Sequence, residues 1–388
     1  MAARKPISLL KGTETKGQTW PDEPSRFTED EIDAFLLWAV KQNASDITFQ
    51  SDRPVYLEID GALYPGTYRS FDAADMSATL QKLYGPEAQA RLASGNDLDL
   101  SYEVRPDRYT RIRFRTNITA ILSKGRDAAQ VTMRVLPNEP PTLRDLNIED
   151  QIIDNFCPRQ GMVIITGPTG SGKSTLLAAG MRMLLERPHG CGKLLTYEAP
   201  IEYVYDVIHS PRSLVSQTEI PRHLPNFARG VRNALRRKPE IILVGESRDR
   251  ETISASIEAA QTGHTVYTTT HTVGVSATVQ RMISSFSADE RSERAYSLME
   301  TVRMIVTQAL VPKVGGGRMG IREWMLFPDP VREKLLDMDY REWSSEVERM
   351  IPSYGQTMAE SAKKAFEDGT IERRHYLLLA SSTGGGGG

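Results

Sequence analysis

Cysteine is almost missing from this chain. Cys157 and Cys191 are the only two in 388 residues. That excludes a disulfide framework and points to a reducing cytosol with two free thiols. Long apolar runs are missing as well: none reaches the ~18 residues a membrane-spanning helix needs. The stretch 162–166 is only strand length. The first twenty residues are polar, rich in Lys, Thr and Gly, with no apolar signal-peptide segment. Neither sign of charge dominates. Lys and Arg number 48 against 50 Asp and Glu, a net charge of -2, so no global field draws the protein to nucleic acid. Local basic patches stay open. No repeat of solenoid period is visible. What is there, 39% apolar and 25% charged residues, suits a globular protein with a substantial core, and the length suits two domains.

The first predicted helix covers 29–42. Thr28 and Glu31 have capping-box spacing, and Ile32, Phe35, Leu36, Ala39 and Val40 mark its apolar face. Extended segments follow at 47–50 and 55–59, closed by the hairpin dipeptide Asp60-Gly61. A helix is expected over 73–92, then strands over 97–104, 109–122 and 129–136. This half reads as a small α+β domain with an antiparallel sheet. Pro137-Asn138-Glu139-Pro140-Pro141 breaks regular structure and marks the domain boundary. Beyond it the rhythm changes. Strands at 161–166, 193–198, 240–244 and 264–270 alternate with helices at 173–187, 226–237 and 249–262, which argues for a parallel sheet wound with helices. From about Val275 the chain reads as mostly helical, with one long helix from Ser287 capped by Glu290. Gly315-Gly316-Gly317 then turns into an extended segment over 318–326, and more helix follows to about 380. The ends, 1–26 and 381–388, read as flexible tails, the second Gly-rich and linker-like.

Gly167-Pro168-Thr169-Gly170-Ser171-Gly172-Lys173-Ser174-Thr175 matches the phosphate-loop pattern, between a strand and a helix as that pattern requires. Its glycines let successive N–H groups turn inward around phosphates, and the helix N-terminus adds its positive end. Lys173 is expected to reach the β and γ phosphates, and the Ser174 hydroxyl to bind magnesium. Further on, the apolar strand Ile241-Ile242-Leu243-Val244 delivers Gly245-Glu246, and Glu246 takes the place of the acid at the magnesium–water shell. Glu198 lies at another strand end, where ligands bind in such sheets, and is the choice for polarising the attacking water. Glu202 reads either as an outer-shell magnesium acid or as an ordinary surface acid. His271 follows Thr268-Thr269-Thr270 and reads either as a γ-phosphate sensor or as a satisfied structural histidine. His264 reads as structural.

Arg111, Arg113 and Arg115 recur at period two. In a strand that sets them on one face, roughly 7 Å apart. Arg134 on the next strand is placed to join them. A phosphate is a natural counter-ion for such a group, and a solvated charged face is the alternative. Arg229, Arg232 and Arg236 lie at helical spacing beside Arg237 and Lys238. They read as a nucleic-acid stripe or pore lining, or as a solvated or subunit-facing helix. No aromatics interleave to stack bases.

The ordered set of motifs resembles the type II/IV secretion (traffic) ATPases. It comprises the phosphate loop, Glu-Ala-Pro-Ile-Glu at 198–202, Val-Gly-Glu-Ser-Arg-Asp at 244–249, Thr-Gly-His at 262–264 and Thr-His-Thr at 270–272. Arg113-Phe114-Arg115-Thr116-Asn117 looks like the family's N-domain arginine motif, and Ala44-Ser45-Asp46-Ile47 like the start of that domain. The resemblance spans ~27 to ~370. It is strongest to the compact PilT-like branch, and Thr-Tyr-Glu-Ala-Pro-Ile-Glu-Tyr points to DotB/TraJ-type ATPases of type IVB secretion and conjugation. Most relatives have Asp where this chain has Ala199. The usual Walker B magnesium acid is replaced by Gly245, as is normal for the family.

The resemblance implies an α/β protein with a PAS-like N-terminal α+β domain over 27–137, a linker at 138–147, and a RecA-like P-loop NTPase domain with a helical C-terminal part over 148–380. It implies ATP and Mg2+ as cofactors, with ATP between the domains and Ser174 and Glu246 at the metal. Glu246 would be the Walker B glutamate, Glu198 and Glu202 the acidic-box residues and His271 the histidine-box residue. Arg113, Arg115 and Arg134 would approach the γ-phosphate, of their own chain or a neighbour's. It implies a homohexamer that works as a motor on inner-membrane secretion or conjugation components, cytoplasmic and peripheral to that membrane, with no direct nucleic-acid ligand. A type IV pilus retraction motor and a RecA-like nucleic-acid translocase are the other readings. A scaffold that only binds nucleotide is disfavoured by intact Lys173, Ser174 and Glu246.

Overall fold

The computed structural model describes residues 19–382; the expectations for 1–18 and 383–388 fall outside the described residues. Two compact units divide the chain. One takes it up to Asn138 together with Pro200–Tyr203, and the other takes Glu139–Ala199 and the chain from Val204 onward.

The first unit holds α1 (Glu29–Lys41), β1 (Asp46–Gln50), β2 (Tyr56–Ile59), β3 (Ala62–Pro65), α2 (Ala73–Leu83), α3 (Ala88–Ala93), β4 (Leu98–Val104), β5 (Ile112–Ser123) and β6 (Arg126–Leu136). Its six strands run β3-β2-β1-β6-β5-β4, every pair antiparallel. The capping box of α1 forms, with the Thr28 N–H donating to the Glu31 carboxylate at 2.9 Å. Ile32, Phe35, Leu36 and Ala39 then bury against Ile47, Phe49, Val131 and Met133 of the sheet. Asp60 and Gly61 both have positive φ, 51° and 78°, as a two-residue hairpin turn requires.

Two expectations need correction here. The helix expected over 73–92 is two helices, α2 and α3. Gly85 at φ 115° and Pro86 end the first, because neither a left-handed residue nor a proline continues a helical turn. The tail expected over 1–26 is ordered from residue 19. Trp20 is buried against Phe27 and Phe35, its N–H donates to Gly66 O at 2.8 Å, and the Glu23 carboxylate accepts from the Tyr68 and Arg69 amides.

The second unit holds α4 (Asp150–Asn155), β7 (Gly161–Thr166), α5 (Lys173–Leu185), β8 (Gly192–Glu198), β9 (Ser213–Glu219), α6 (Phe227–Ala234), β10 (Ile241–Val244), α7 (Arg250–Gln261), β11 (Thr265–Thr269), α8 (Val275–Ser284), α9 (Arg291–Thr301), β12 (Val302–Pro312), β13 (Arg318–Leu326), α10 (Asp329–Leu336), α11 (Trp343–Tyr354), β14 (Gly355–Gln356), α12 (Met358–Glu367) and α13 (Arg373–Ser382). The sheet order is β14-β13-β12-β7-β11-β10-β8-β9. It is parallel from β12 to β9, and β13 and β14 add an antiparallel edge.

The expectation of a mostly helical chain beyond Val275, with one long helix from Ser287, is overturned. The Ser287 hydroxyl does donate to Glu290 at 2.9 Å, but the helix begins at Arg291 and stops at Thr301. The chain then enters β12, which lies between β7 and β13. Val302, Met304, Ile305 and Val306 are buried on both faces of the sheet, so the run lacks the alternation that announces a strand. The edge strand β9 carries no alternating pattern and was not expected either.

Candidate active site

The loop 167–172 joins β7, in which every residue is buried, to α5. Gly167, Gly170 and Gly172 have φ of 136°, 77° and 82°. A Cβ on Gly167 would sit 2.2 Å from the Gln308 carbonyl oxygen, so only glycine passes there. The Lys173 ammonium is nearly buried and donates to Gly167 O at 2.8 Å and Pro168 O at 3.0 Å, closing the loop on itself. The Ser171 hydroxyl is buried with no partner among the described residues, while Ser174 is exposed and Thr175 half-buried at the start of α5. An orphaned hydroxyl, a lysine ammonium turned onto the loop carbonyls and a glycine cradle fit a bound phosphate chain. No group of three His, Cys, Asp or Glu that could cage a metal occurs among the described residues.

Parallel strands bring three of the expected residues to the same sheet edge as this loop. β11 pairs with β7, and β10 pairs with both β11 and β8, so Thr166, Thr270, Glu246 and Glu198 each follow or close a neighbouring strand. The Thr270 N–H donates to Ile165 O at 3.2 Å, and the Gly245 N–H to Tyr197 O at 2.7 Å. Thr166, Thr270 and Thr272 share hydroxyl bonds of 2.7 to 3.1 Å, and Thr272 continues to Thr278 on α8 at 2.7 Å. Glu198 is half-buried. The Thr196 hydroxyl and the Gln217 amide donate to its Oε1 at 2.6 and 3.2 Å, which fixes the rotamer of its carboxylate.

Glu246, Arg248 and His271 form one cluster. Arg248 Nε lies 2.8 Å from Glu246 Oε2, and His271 Nε2 lies 3.4 Å from the same oxygen and 3.1 Å from Arg248 Nη2. A neutral imidazole nitrogen cannot both donate to Glu246 and accept from Arg248, so the ring's tautomer sets which bond forms. A cavity of about 450 Å³ opens between this cluster and the loop, lined by Pro168, Thr169, Arg248, His271 and Arg281. Arg248 and Arg281 were missed as site residues. Arg248 stands inside the Glu-Ser-Arg-Asp string two residues after Glu246. Nothing local marks Arg281.

The first-unit arginines are placed differently from an open phosphate-seeking patch. Arg113 is 2% exposed. Its Nη1 and Nη2 donate to Glu202 O at 2.7 Å and Ile201 O at 2.6 Å, and Nε lies 4.0 Å from Glu103. Arg111 pairs with Glu103 at 3.1 Å. Arg115 pairs with Glu202 Oε1 at 3.2 Å. Arg134 is the cross-strand neighbour of Arg115, as its strand position suggests, and pairs with Asp46 at 2.9 Å. The like charges are thus balanced by acids and carbonyls of the same unit. Glu202 is counted with this unit and Glu198 with the other. On α6, Arg229 and Arg232 are exposed, and the helix is shorter than the 226–237 expected.

The geometry agrees with what the chain is similar to. The family model for "Type II/IV secretion system protein" matches residues 22–318. The type IV pilus retraction ATPase PilT of Pseudomonas aeruginosa is 30% identical over 345 residues, which is 89% of this chain and 96% of that protein. The X-ray structure of the Legionella pneumophila ATPase DotB matches with a TM-score of 0.90 and 48% identity, covering 95% of this chain and all of that one. The structure of the pilus retraction motor PilT with bound ADP matches with a TM-score of 0.77 and 28% identity, over 90% of this chain and 96% of that one. With a family model that covers most of the chain and a fold shared with DotB and PilT, the protein belongs to the type II/IV secretion system protein family, in its PilT-like branch of RecA-like P-loop ATPases.

Proposed function

We propose that this protein hydrolyses ATP with magnesium, as a hexameric motor that powers a type IVB secretion or conjugative transfer apparatus at the inner membrane. The observation that carries the reading is the sheet edge of the second unit, where the phosphate loop, Glu246, His271 and Glu198 close adjacent parallel strands. Lys173 would exchange its loop carbonyls for phosphate oxygens, and the Ser174 hydroxyl would hold the metal. Magnesium, when bound with the triphosphate, would supply charge neutralisation for the developing phosphoryl charge. Glu246, steadied by Arg248 and His271, would be the carboxylate that holds the metal's side of the site. Glu198, with its rotamer fixed by Thr196 and Gln217, orients the attacking water and takes its proton; a positioned base of this kind contributes about 100- to 10,000-fold. Arg115 and Arg134, each held by a single acid, are the first-unit cations assigned to the γ-phosphate, once Glu202 and Asp46 release them. Arg113 is assigned to hold the 200–203 segment.

The likeness to DotB, at 48% identity over nearly the whole chain, favours secretion over retraction. Among the described residues no helix is long and apolar enough to cross a membrane, so docking on the inner membrane is assigned to partner proteins of the apparatus. Purified protein should form hexamers stabilised by ATP, with turnover that rises on assembly; a monomer hydrolysing at full rate sinks the motor reading. Deleting the gene should abolish substrate export. The likeness to PilT supports a retraction motor as the second reading, and immobile, hyperpiliated cells would select it. Steep, salt-dependent stimulation of turnover by single-stranded DNA would instead promote a translocase built on the α6 arginines.

A further inference from the structure

Beneath the phosphate loop lies a buried polar relay with no part in the chemistry described so far. Gln308 on β12 and Arg322 on β13 are direct cross-strand partners, 4% and 3% exposed. Arg322 Nε donates to Gln308 Oε1 at 2.8 Å, and Gln308 Nε2 donates to the Ser171 carbonyl at 2.6 Å. Guanidinium can only donate and a carbonyl can only accept, so this pair of neighbours fixes the orientation of the amide between them. The other end of Arg322 is also committed. Nη2 donates to Leu146 O at 3.0 Å, and Nη1 to Asn147 O at 3.0 Å and to Glu149 Oε2 at 3.3 Å. Asn147 has φ 49°, a conformation that costs a residue with a side chain, and its carbonyl is one of those Arg322 reads. Glu149 then stands at the N-cap position of α4, its carboxylate turned to Arg322 rather than to the helix amides.

We propose that Gln308 and Arg322 are positioning residues of the nucleotide site, holding the phosphate loop in its binding form and linking that form to residues 146–149. The physical reason lies in the peptide plane. In a trans peptide the carbonyl and the next N–H point in opposite directions. Pinning Ser171 O down onto Gln308 therefore aims the Gly172 N–H away from Gln308, into the concavity where successive amides cradle phosphate. The amide is polarised by the guanidinium behind it, and in a water-poor interior such chains strengthen one another. Gln308 also backs the loop at both of its end glycines. Its carbonyl would meet a Cβ on Gly167, and its Nε2 would lie 2.9 Å from one on Gly172. A change of loop shape on nucleotide binding must then move Gln308 or break its bond, and Arg322 carries that change to 146–149.

This inference rests on the ATPase reading above, and the test separates the two. Gln308→Glu keeps a partner for Arg322 but turns an acceptor toward the Ser171 carbonyl. Binding of a fluorescent ADP analogue should weaken about tenfold, as expected for one buried hydrogen bond lost and its acceptor left facing another acceptor, with a lowered melting temperature but a folded protein because the Arg322 partner is retained. Arg322→Lys, which keeps charge without the fork, should weaken binding less. In hydrogen exchange, ADP should protect amides in 146–152 as well as 167–175 of the wild type. Gln308→Glu should keep the second response and lose the first. Folded Gln308→Glu that binds ADP like the wild type, or that keeps the 146–152 response, overturns the relay. Should that variant not fold, wild-type affinity and exchange in Arg322→Lys overturn it equally. Wild-type protein that binds no ADP sinks the ATPase reading and the relay together, whereas indifferent variants beside a binding wild type sink the relay alone.

Discussion

Two glycines in the phosphate loop allow the same substitution to be made in opposite surroundings. Gly170 has φ 77° and nothing within 4 Å of a Cβ built on it. Gly170→Ala therefore costs only the left-handed backbone of an L-residue, about 1 to 2 kcal/mol. Gly167 has φ 136°, and its Cβ would lie 2.2 Å from Gln308 O and 2.8 Å from Ser171 Oγ. The hydroxyl can rotate away. The carbonyl cannot, because Thr307, one residue before it, is paired in register with Thr166 at the centre of the sheet. Gly167→Ala must then part β12 from the end of β7 or distort the loop. Adding the backbone strain of about 1 to 3 kcal/mol to an overpacking cost of about 1 to 3 kcal/mol gives about 2 to 6 kcal/mol. At about 2 to 4 °C per kcal/mol for a domain of this size, Gly167→Ala should lower the melting temperature by about 4 to 24 °C, and Gly170→Ala by about 2 to 8 °C. Differential scanning calorimetry of both proteins without nucleotide reads the difference directly. ADP should shift the melting of Gly170→Ala upward and leave Gly167→Ala unmoved. Equal melting temperatures for the two variants would refute the argument that β12 closes off the loop's first glycine.

Other outcomes are expected from single groups. Lys173→Ala should abolish nucleotide binding or turnover, measured as phosphate release, and wild-type turnover would remove the loop from the chemistry. Glu246→Gln should bind ATP and stall, with turnover down about 100-fold or more; a normal rate would hand the Walker B role to another acid. In the first unit the buried Asp75 carboxylate is pushed up by burial, but Arg69 and the backbone amides of Phe27 and Asp72 outweigh this and hold it below the usual range. A lowered folded value gives stability that is full above the ordinary carboxylate pKa of about 3.9 and lost as pH falls through the folded value. Acid titration followed by tryptophan fluorescence should show the first unit losing stability below about pH 4. Asp75→Asn should flatten that slope, and an unchanged acid limb would refute the assignment.

What could be read ahead of the structure was local. The phosphate loop is legible because nine consecutive residues carry the whole pattern and the flanking strand and helix announce themselves. The capping box at Thr28 and the turn at Asp60-Gly61 are legible for the same reason: each is decided within four residues. β12 is not, since a strand buried on both faces looks like a helix core unless its neighbours β7 and β13 are known. Arg113 shows the limit more sharply. Period two correctly sets Arg113 and Arg115 on one side of β5, and Arg134 does fall beside Arg115 across the ladder. Yet the spacing is silent about what covers that side, and the carbonyls of Ile201 and Glu202 turn Arg113 from an open cation into a buried strut.

The same distinction separates the groups proposed to act from those proposed to position them. Glu246, Glu198 and His271 stand where apolar strands end, and a strand end is visible in a string of letters. Gln308 and Arg322 stand inside strands, in a segment whose first half reads as helix and whose second half reads only as extended. Their meaning comes from a cross-strand register and from Ser171, more than a hundred positions away in the chain. A buried guanidinium with one carboxylate partner is costly unless its other donors are met, and here the donors are met by Gln308 and the 146–147 carbonyls. Burial pulls the Arg322 guanidinium below its usual range and Glu149 opposes that pull. A charge held at such cost argues that the contacts it makes possible, between the loop proposed to hold phosphate and residues 146–149, are what the position is for.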